Sequence, residues 1–192
     1  MKRILFFVSI LVLLAFTSNY VESTSVIITP NSELVINGKT NVNSFTCEYD
    51  VLRFNRPIPI AFKRVNDRIV FEKATLVLNN TCFDCGGMGI NADFQELLKS
   101  ESYPEIYIDL KEISADPLKE SKIQALLDLN ISGVSKSYTM PVKLDGENTL
   151  LVTGVLRLNI RDFNLEPPKK ALGLIVVKDT IEIKFNLKIK EH

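Results

Sequence analysis

Histidine is almost missing from this 192-residue chain: the only one is His192. A Ser-His or Cys-His nucleophile therefore has no base to draw on, and a zinc site, which takes four ligands, is left short of them. Neither sign of charge is in excess, with 23 Lys and Arg against 23 Asp and Glu, and no basic run lies along one face. That balance argues against nucleic acid and acidic membrane surfaces as partners. No glycine-rich phosphate loop leads from a strand into a helix. Cysteine is limited to Cys47, Cys82 and Cys85, an odd number that leaves one thiol spare.

The one long apolar run is at the start. Met1-Lys2-Arg3 forms a short positive segment, and Ile4 to Phe16 is apolar except for Ser9, too short for a comfortable membrane span. We read residues 1–23 as a secretory signal peptide, with Ala15 and Thr17 or Ser23 marking the cut, and residues 24–192 as one domain with room for a substantial core. No cysteine lies near the cut, so a lipid anchor is not expected. Export to the periplasm or beyond makes a structural disulfide the default use of the cysteines. Cys82-x-x-Cys85 does not suit a thioredoxin-type redox pair, because Gly86 and Gly87 separate it from the following helix.

That helix is the clearest in the mature chain. Ile90, Phe94, Leu97 and Leu98 fall at i, i+4, i+7 and i+8, with Asn91 as the expected N-cap and Pro104 preventing continuation. Everything around it reads as antiparallel sheet. Ser25 to Ile28 and Ser32 to Ile36 are short extended runs, broken at Pro30-Asn31 and at Asn37-Gly38, the latter a hairpin signal. Lys39 to Tyr49 alternates loosely. Pro57-Ile58-Pro59 is read as ruling out a central strand, so Asp50 to Asn66 reads as a connecting loop with edge-strand pieces. Val65 to Leu78 is β-branched and long enough for one or two strands.

The second half alternates cleanly. Glu105 to Ile113 sets Ile106, Ile108 and Leu110 against Tyr107, Asp109 and Lys111. Lys122 to Ser132 sets Ile123, Ala125, Leu127, Leu129 and Ile131 on one face, with Leu126 the exception on the other. Gly133 turns the chain into Ser135 to Leu144, and Asp145-Gly146 turns it into Leu150 to Ile160. There Val152, Gly154, Leu156, Leu158 and Ile160 share a face. Thr180 to Lys190 places Ile181, Ile183, Phe185, Leu187 and Ile189 opposite a charged, solvated side.

Many half-wet antiparallel strands with one helix make a barrel or a sandwich, and pattern alone does not choose. Gly38 to Phe45, Cys85 to Lys99 with Tyr103-Pro104-Glu105-Ile106, Leu129 to Gly133 with Tyr138 to Val142, and Gly154 with Arg161-Asp162-Phe163 together resemble the YceI-like family. The likeness runs from about Leu34 to Ile189 and rests on the order and spacing of several motifs. It implies an all-β fold, an eight-stranded antiparallel lipocalin-like barrel with one short helix between its halves, exported by bacteria and holding a polyisoprenoid or other lipid chain inside. The chain departs from the pattern at Gly86-Gly87-Met88-Gly89, where relatives commonly carry a charged residue, and at Phe45, where many carry tryptophan.

Ile108, Ala125, Leu127, Leu129, Val152, Gly154, Leu156, Leu158, Ile183 and Phe185 would then line the interior. An eight-stranded barrel is just wide enough to be filled by side chains or to hold one slender ligand; Ala125, Val152 and Gly154 favour space, Phe185 and the leucines favour filling. The bland alternative is a solid-cored secreted β domain serving in adhesion or protein interaction. A homodimer is compatible with either. No cofactor, metal or catalytic group is expected: Asp84, Asp93, Glu96 and Glu112 read as surface acids, and Arg161-Asp162 as a structural salt bridge at a strand end. Cys47 is expected to pair with Cys85, which lies nearer the helix and the family-like segment, because a bridge between Cys82 and Cys85 would close a tiny, strained loop.

Overall fold

The computed structural model describes residues 20–116, 119–146, 148–167, 169–170 and 175–192. Residues 1–19 of the expected signal peptide lie outside the described residues. The first strand, β1 (Glu22–Ile28), pairs with β4 (Ile58–Val65), and the ring continues through β5 (Arg68–Lys73), β8 (Glu105–Asp116), β9 (Lys119–Ile131), β10 (Val134–Asp145), β11 (Leu150–Asn159) and β14 (Thr180–Glu191). β14 returns to β1, and every step is antiparallel. Closure gives every ring strand a neighbour on each side, although β10 meets β11 only through Val142–Asp145 against Leu151–Gly154, and it turns one face of each strand inward. In β9, β11 and β14 the inward residues are the apolar sets that alternation singles out, with Ala125, Leu129, Leu156, Leu158 and Ile183 buried.

Two strands of the ring share their edge between a pair of shorter strands. β14 gives Ile189–Glu191 to β1 and Glu182–Asn186 to β2 (Glu33–Lys39). At the junction the Thr29 N–H donates to the Lys188 carbonyl at 2.8 Å, and the Lys188 N–H donates to the Ser32 hydroxyl oxygen at 2.9 Å. Pro30-Asn31 therefore kinks the wall without ending it. β8 likewise pairs with β5 near Glu112 and with β6 (Thr75–Asn79) near Asp109, so the long run before the cysteines makes two strands. The Leu110 N–H donates to the Ala74 carbonyl at 2.9 Å across that break. At this end of the barrel the sheet extends past β2 through β3 (Ser44–Tyr49) to the two-residue β7 (Phe83–Asp84), and the helix α1 (Met88–Leu97) packs across the opening. A separate two-strand pair joins β12 (Lys169–Lys170) to β13 (Ile175–Val176).

Three expectations are corrected. Asn37-Gly38 is not a hairpin turn: β2 runs through it, and the chain reverses at 40–43, where the Thr40 N–H donates to the Asn43 carbonyl at 2.7 Å. Gly38 serves another purpose, since a Cβ there would sit 2.1 Å from Cζ of Phe45, whose ring lies on the bare backbone. The segment read as loop contains β4, a full wall strand. Pro59 is tolerated because it stands opposite Ser25 of β1, while β5 joins β4 only from Ala61 onward. The helix starts at Met88 with Gly87 as its N-cap, and Asn91 is one turn inside. The Asn91 side chain instead accepts from the Cys85 N–H at 2.6 Å and donates to Asp84 at 3.2 Å, tying the helix back to the cysteine segment.

Candidate functional site

The inward faces enclose a chamber of about 280 Å³. Its walls come from every ring strand, with Val26 and Ile28 of β1, Ile58 and Ile60 of β4, Phe71 of β5 and Ile189 of β14 among them. Half-buried side chains such as Val26, Ile60, Phe71 and Leu144, with Leu150 37% exposed, surround the end away from the helix. Toward the helix the lining closes, with Leu34, Leu129 and Leu156 all buried. The chamber is therefore a blind well whose mouth lies where β10 meets β11 and β1 meets β4. Among the described lining residues Thr75 is the one polar side chain, and its hydroxyl donates to the Asp109 carboxylate. Apart from Thr75, the described lining is hydrocarbon, so the well suits an apolar chain and penalises any polar group that enters without a partner.

Of the ten residues expected inside, Ile108, Ala125, Leu127, Leu129, Val152, Leu156, Ile183 and Phe185 line this chamber. Gly154 and Leu158 do not. A Cβ on Gly154 would lie 2.6 Å from Cζ of Phe185 and 2.8 Å from Cε of Met140, so those side chains occupy the space the glycine leaves. Leu158 lies deeper, in a second space of about 60 Å³ beneath α1 that Phe94, Leu97 and Leu98 help to seal. The lining residues outside that set include Val26 and Ile28 of β1, Ile58 and Ile60 of β4, Phe71 of β5, Thr75 and Leu76 of β6, and Val142 and Leu144 of β10.

The sealed end is held by dense packing and one covalent bond. Cys47 and Cys85 form a disulfide, and Cys82 is the free thiol. Tyr49 stacks on Phe54 at 4.9 Å, Phe83 meets Tyr49 edge-on at 5.0 Å, and Phe94 of the helix packs on Phe83 at 5.1 Å. Burial pushes the Tyr49 phenol up from its ordinary range. Beyond the helix, Tyr103 covers Gly133, which has φ +79° and would place a Cβ 2.6 Å from the ring. The Ser132 hydroxyl donates to the Leu98 carbonyl at 2.6 Å, fixing the helix end to the β9–β10 turn. Asn80, buried beside this turn, donates to Ser100 at 3.0 Å and to the Tyr103 carbonyl at 2.8 Å.

The acids are tied into the scaffold. Glu112 pairs with Arg68 at 3.3 Å on the outer face, where a bulge between Leu110 and Glu112 changes the phase of β8. Arg161 and Asp162 do not pair with each other as expected: Arg161 reaches Asp179 at 2.5 Å, and Asp162 accepts from the Tyr138 hydroxyl at 3.1 Å. The 3₁₀ turn over Ile160–Phe163 points the two side chains apart. Burial, followed by the Asp162 bond, pushes the Tyr138 phenol up to about 12.

Asp84 ties the cysteine segment to the helix, accepting from the Gly86 N–H and the Asn91 side chain. The Gly86 N–H at 3.0 Å, then the Asn91 side chain, hold its carboxyl below the usual carboxylate range. A carboxyl depressed on folding adds stability that is complete above its unfolded pKa and is lost as pH falls through the folded one. Asp84→Ala should therefore lower the urea midpoint at pH 6, with the gap to wild type closing as pH falls below 3.8. A gap that stays constant through that range would assign the effect to packing instead.

A family model described as the YceI-like domain matches residues 60–189. The fold is also that of three solved structures. The polyisoprenoid binding domain from Saccharophagus degradans, implicated in plant cell wall breakdown, is 13% identical, with 88% of this chain and 99% of that one covered and a TM-score of 0.61. BcnA from Burkholderia cenocepacia is 22% identical, with 82% and 95% covered and a TM-score of 0.56. The YCEI protein of Campylobacter jejuni is 15% identical, with 64% and 73% covered and a TM-score of 0.52. No curated protein sequence matches this chain. With well over half of its length matched by the family model, and with the ring of eight strands that its structural neighbours share, the chain belongs to the YceI-like family.

Proposed function

We propose that this is an exported, non-enzymatic binding protein that carries a lipid or polyisoprenoid chain inside its barrel. The observation that carries the reading is the blind apolar well, in which the one polar side chain of the described lining is already hydrogen-bonded. The polyisoprenoid binding domain named for the Saccharophagus relative supports the ligand class. Export is supported by the apolar leader and by the buried Cys47–Cys85 bond, which needs an oxidising compartment to form.

Native mass spectrometry tests the reading on protein expressed with its leader and purified without detergent from the periplasm of a bacterial host. We expect an added apolar mass that organic solvent releases. Material of apo mass that also fails to take up geranylgeraniol would leave the solid-cored interaction module as the better account.

A further inference from the structure

The interior is two spaces rather than one. Leu34, Ile108, Leu129 and Ile183 line both the 280 Å³ chamber and the 60 Å³ space beneath the helix. Ile108 and Leu129 face each other in register across β8 and β9. Leu34 and Ile183 come from β2 and β14, which are paired to each other on the opposite side of the ring. Two leucine and isoleucine pairs, one on each facing wall, thus border both spaces and mark the floor between them, with Leu129 only 1% exposed.

We propose that this floor is a length ruler, so that the barrel takes the tail of a single-chain amphiphile and stops it at Leu129. The proposal rests on the binding reading above and adds to it the orientation and the length. Orientation follows from chemistry: the lining offers a polar end no free partner, so that end stays at the mouth in water. Length follows from volume. At about 30 Å³ for each methylene-sized unit, the chamber accommodates on the order of ten carbons before the tail reaches the floor. Carbons beyond that number remain outside the well and add little. Ala125, four residues before Leu129 on β9, faces the same chamber and is a small side chain that helps keep its middle open.

Binding of linear 1-alkanols from six to sixteen carbons, measured on the mature protein after solvent stripping, tests the ruler. Affinity should rise about fourfold per added carbon while the tail is still being buried, then level off near ten carbons. Leu129→Ala removes part of the floor and should move the plateau to longer chains by roughly two to three carbons. Ala125→Leu fills the chamber and should move it to shorter ones, which keeps the test decisive if Leu129→Ala folds poorly. A wild-type affinity that climbs steadily to sixteen carbons, or a plateau that neither substitution moves, overturns the ruler and leaves the binding reading standing. Absence of binding at every length overturns both.

Discussion

Leu156→Arg is expected to abolish uptake of an apolar ligand and to cost about 4 kcal/mol or more in stability, whereas Lys184→Glu should change neither measurably. Leu156 is 6% exposed, lines the chamber and stands in register with Ile183 on β14. Among the described residues no carboxylate lines that chamber, so a guanidinium there is both desolvated and unpaired. Lys184 is one residue from Ile183 yet on the other face, with its side chain 55% exposed and its amine 3.4 Å from Glu182. A surface pair of that kind contributes less than about 1 kcal/mol. Urea unfolding and uptake of geranylgeraniol measure both variants. Equal damage from the two substitutions would mean that the facing of β11 and β14 is misassigned.

The facing of those strands is legible in sequence because their two sides differ chemically at every step. β14 alternates Ile, Ile, Phe, Leu, Ile with Glu, Lys, Asn, Lys, Lys, and a one-residue slip would bury the charged set. The first half is harder to read for a physical reason. Its walls are assembled from short strands that share an edge, β1 with β2 and β5 with β6, so periodicity restarts at each junction. β4 also carries Pro59 and a register shift between Ala61 and Phe62. Ile58 and Ile60 on either side of Pro59 did alternate, and both line the chamber; reading the proline as a breaker hid them.

The same contrast explains the site. Residues of β8, β9, β11 and β14 expected inside are inside, and the two that miss the chamber do so through packing that no pattern encodes. Gly154 is small, but smallness in a core is as often an invitation to a neighbour as a void, and Phe185 fills it. Leu158 is inward and lies below the floor, because depth along the barrel axis depends on how the strands are staggered. Asn91 illustrates a third limit: an Asn before an apolar run suits an N-cap, yet its side chain is drawn away by the Cys85 N–H and Asp84.

Breaking the disulfide should be the second severe perturbation, and its effect should begin at the helix. Cys47 is fully buried, Cys85 is 7% exposed, and the bond closes a loop with a sequence separation of 38. In the chain-entropy treatment a loop of that size stabilises the fold by about 3 to 4 kcal/mol, equivalent to roughly 6 to 16 °C in Tm for a domain of this length. The backbone pairing of the same segment is short, since β7 meets β3 through Glu48–Asp84 and Tyr49–Phe83. Cys47→Ser combined with Cys85→Ser should therefore expose the amides of Met88–Leu97 to exchange before those of β9 and β14, which run the length of the barrel. Cys82→Ser, which alters the free thiol, should leave Tm close to wild type. Because α1 caps the deeper space, the double variant should also weaken retention of a bound chain more than its remaining stability would suggest. A Cys47–Cys82 crosslink in non-reducing peptide maps of the exported protein, or a Tm unaffected by the double substitution, would remove the bridge from its place as the clamp on this end of the barrel.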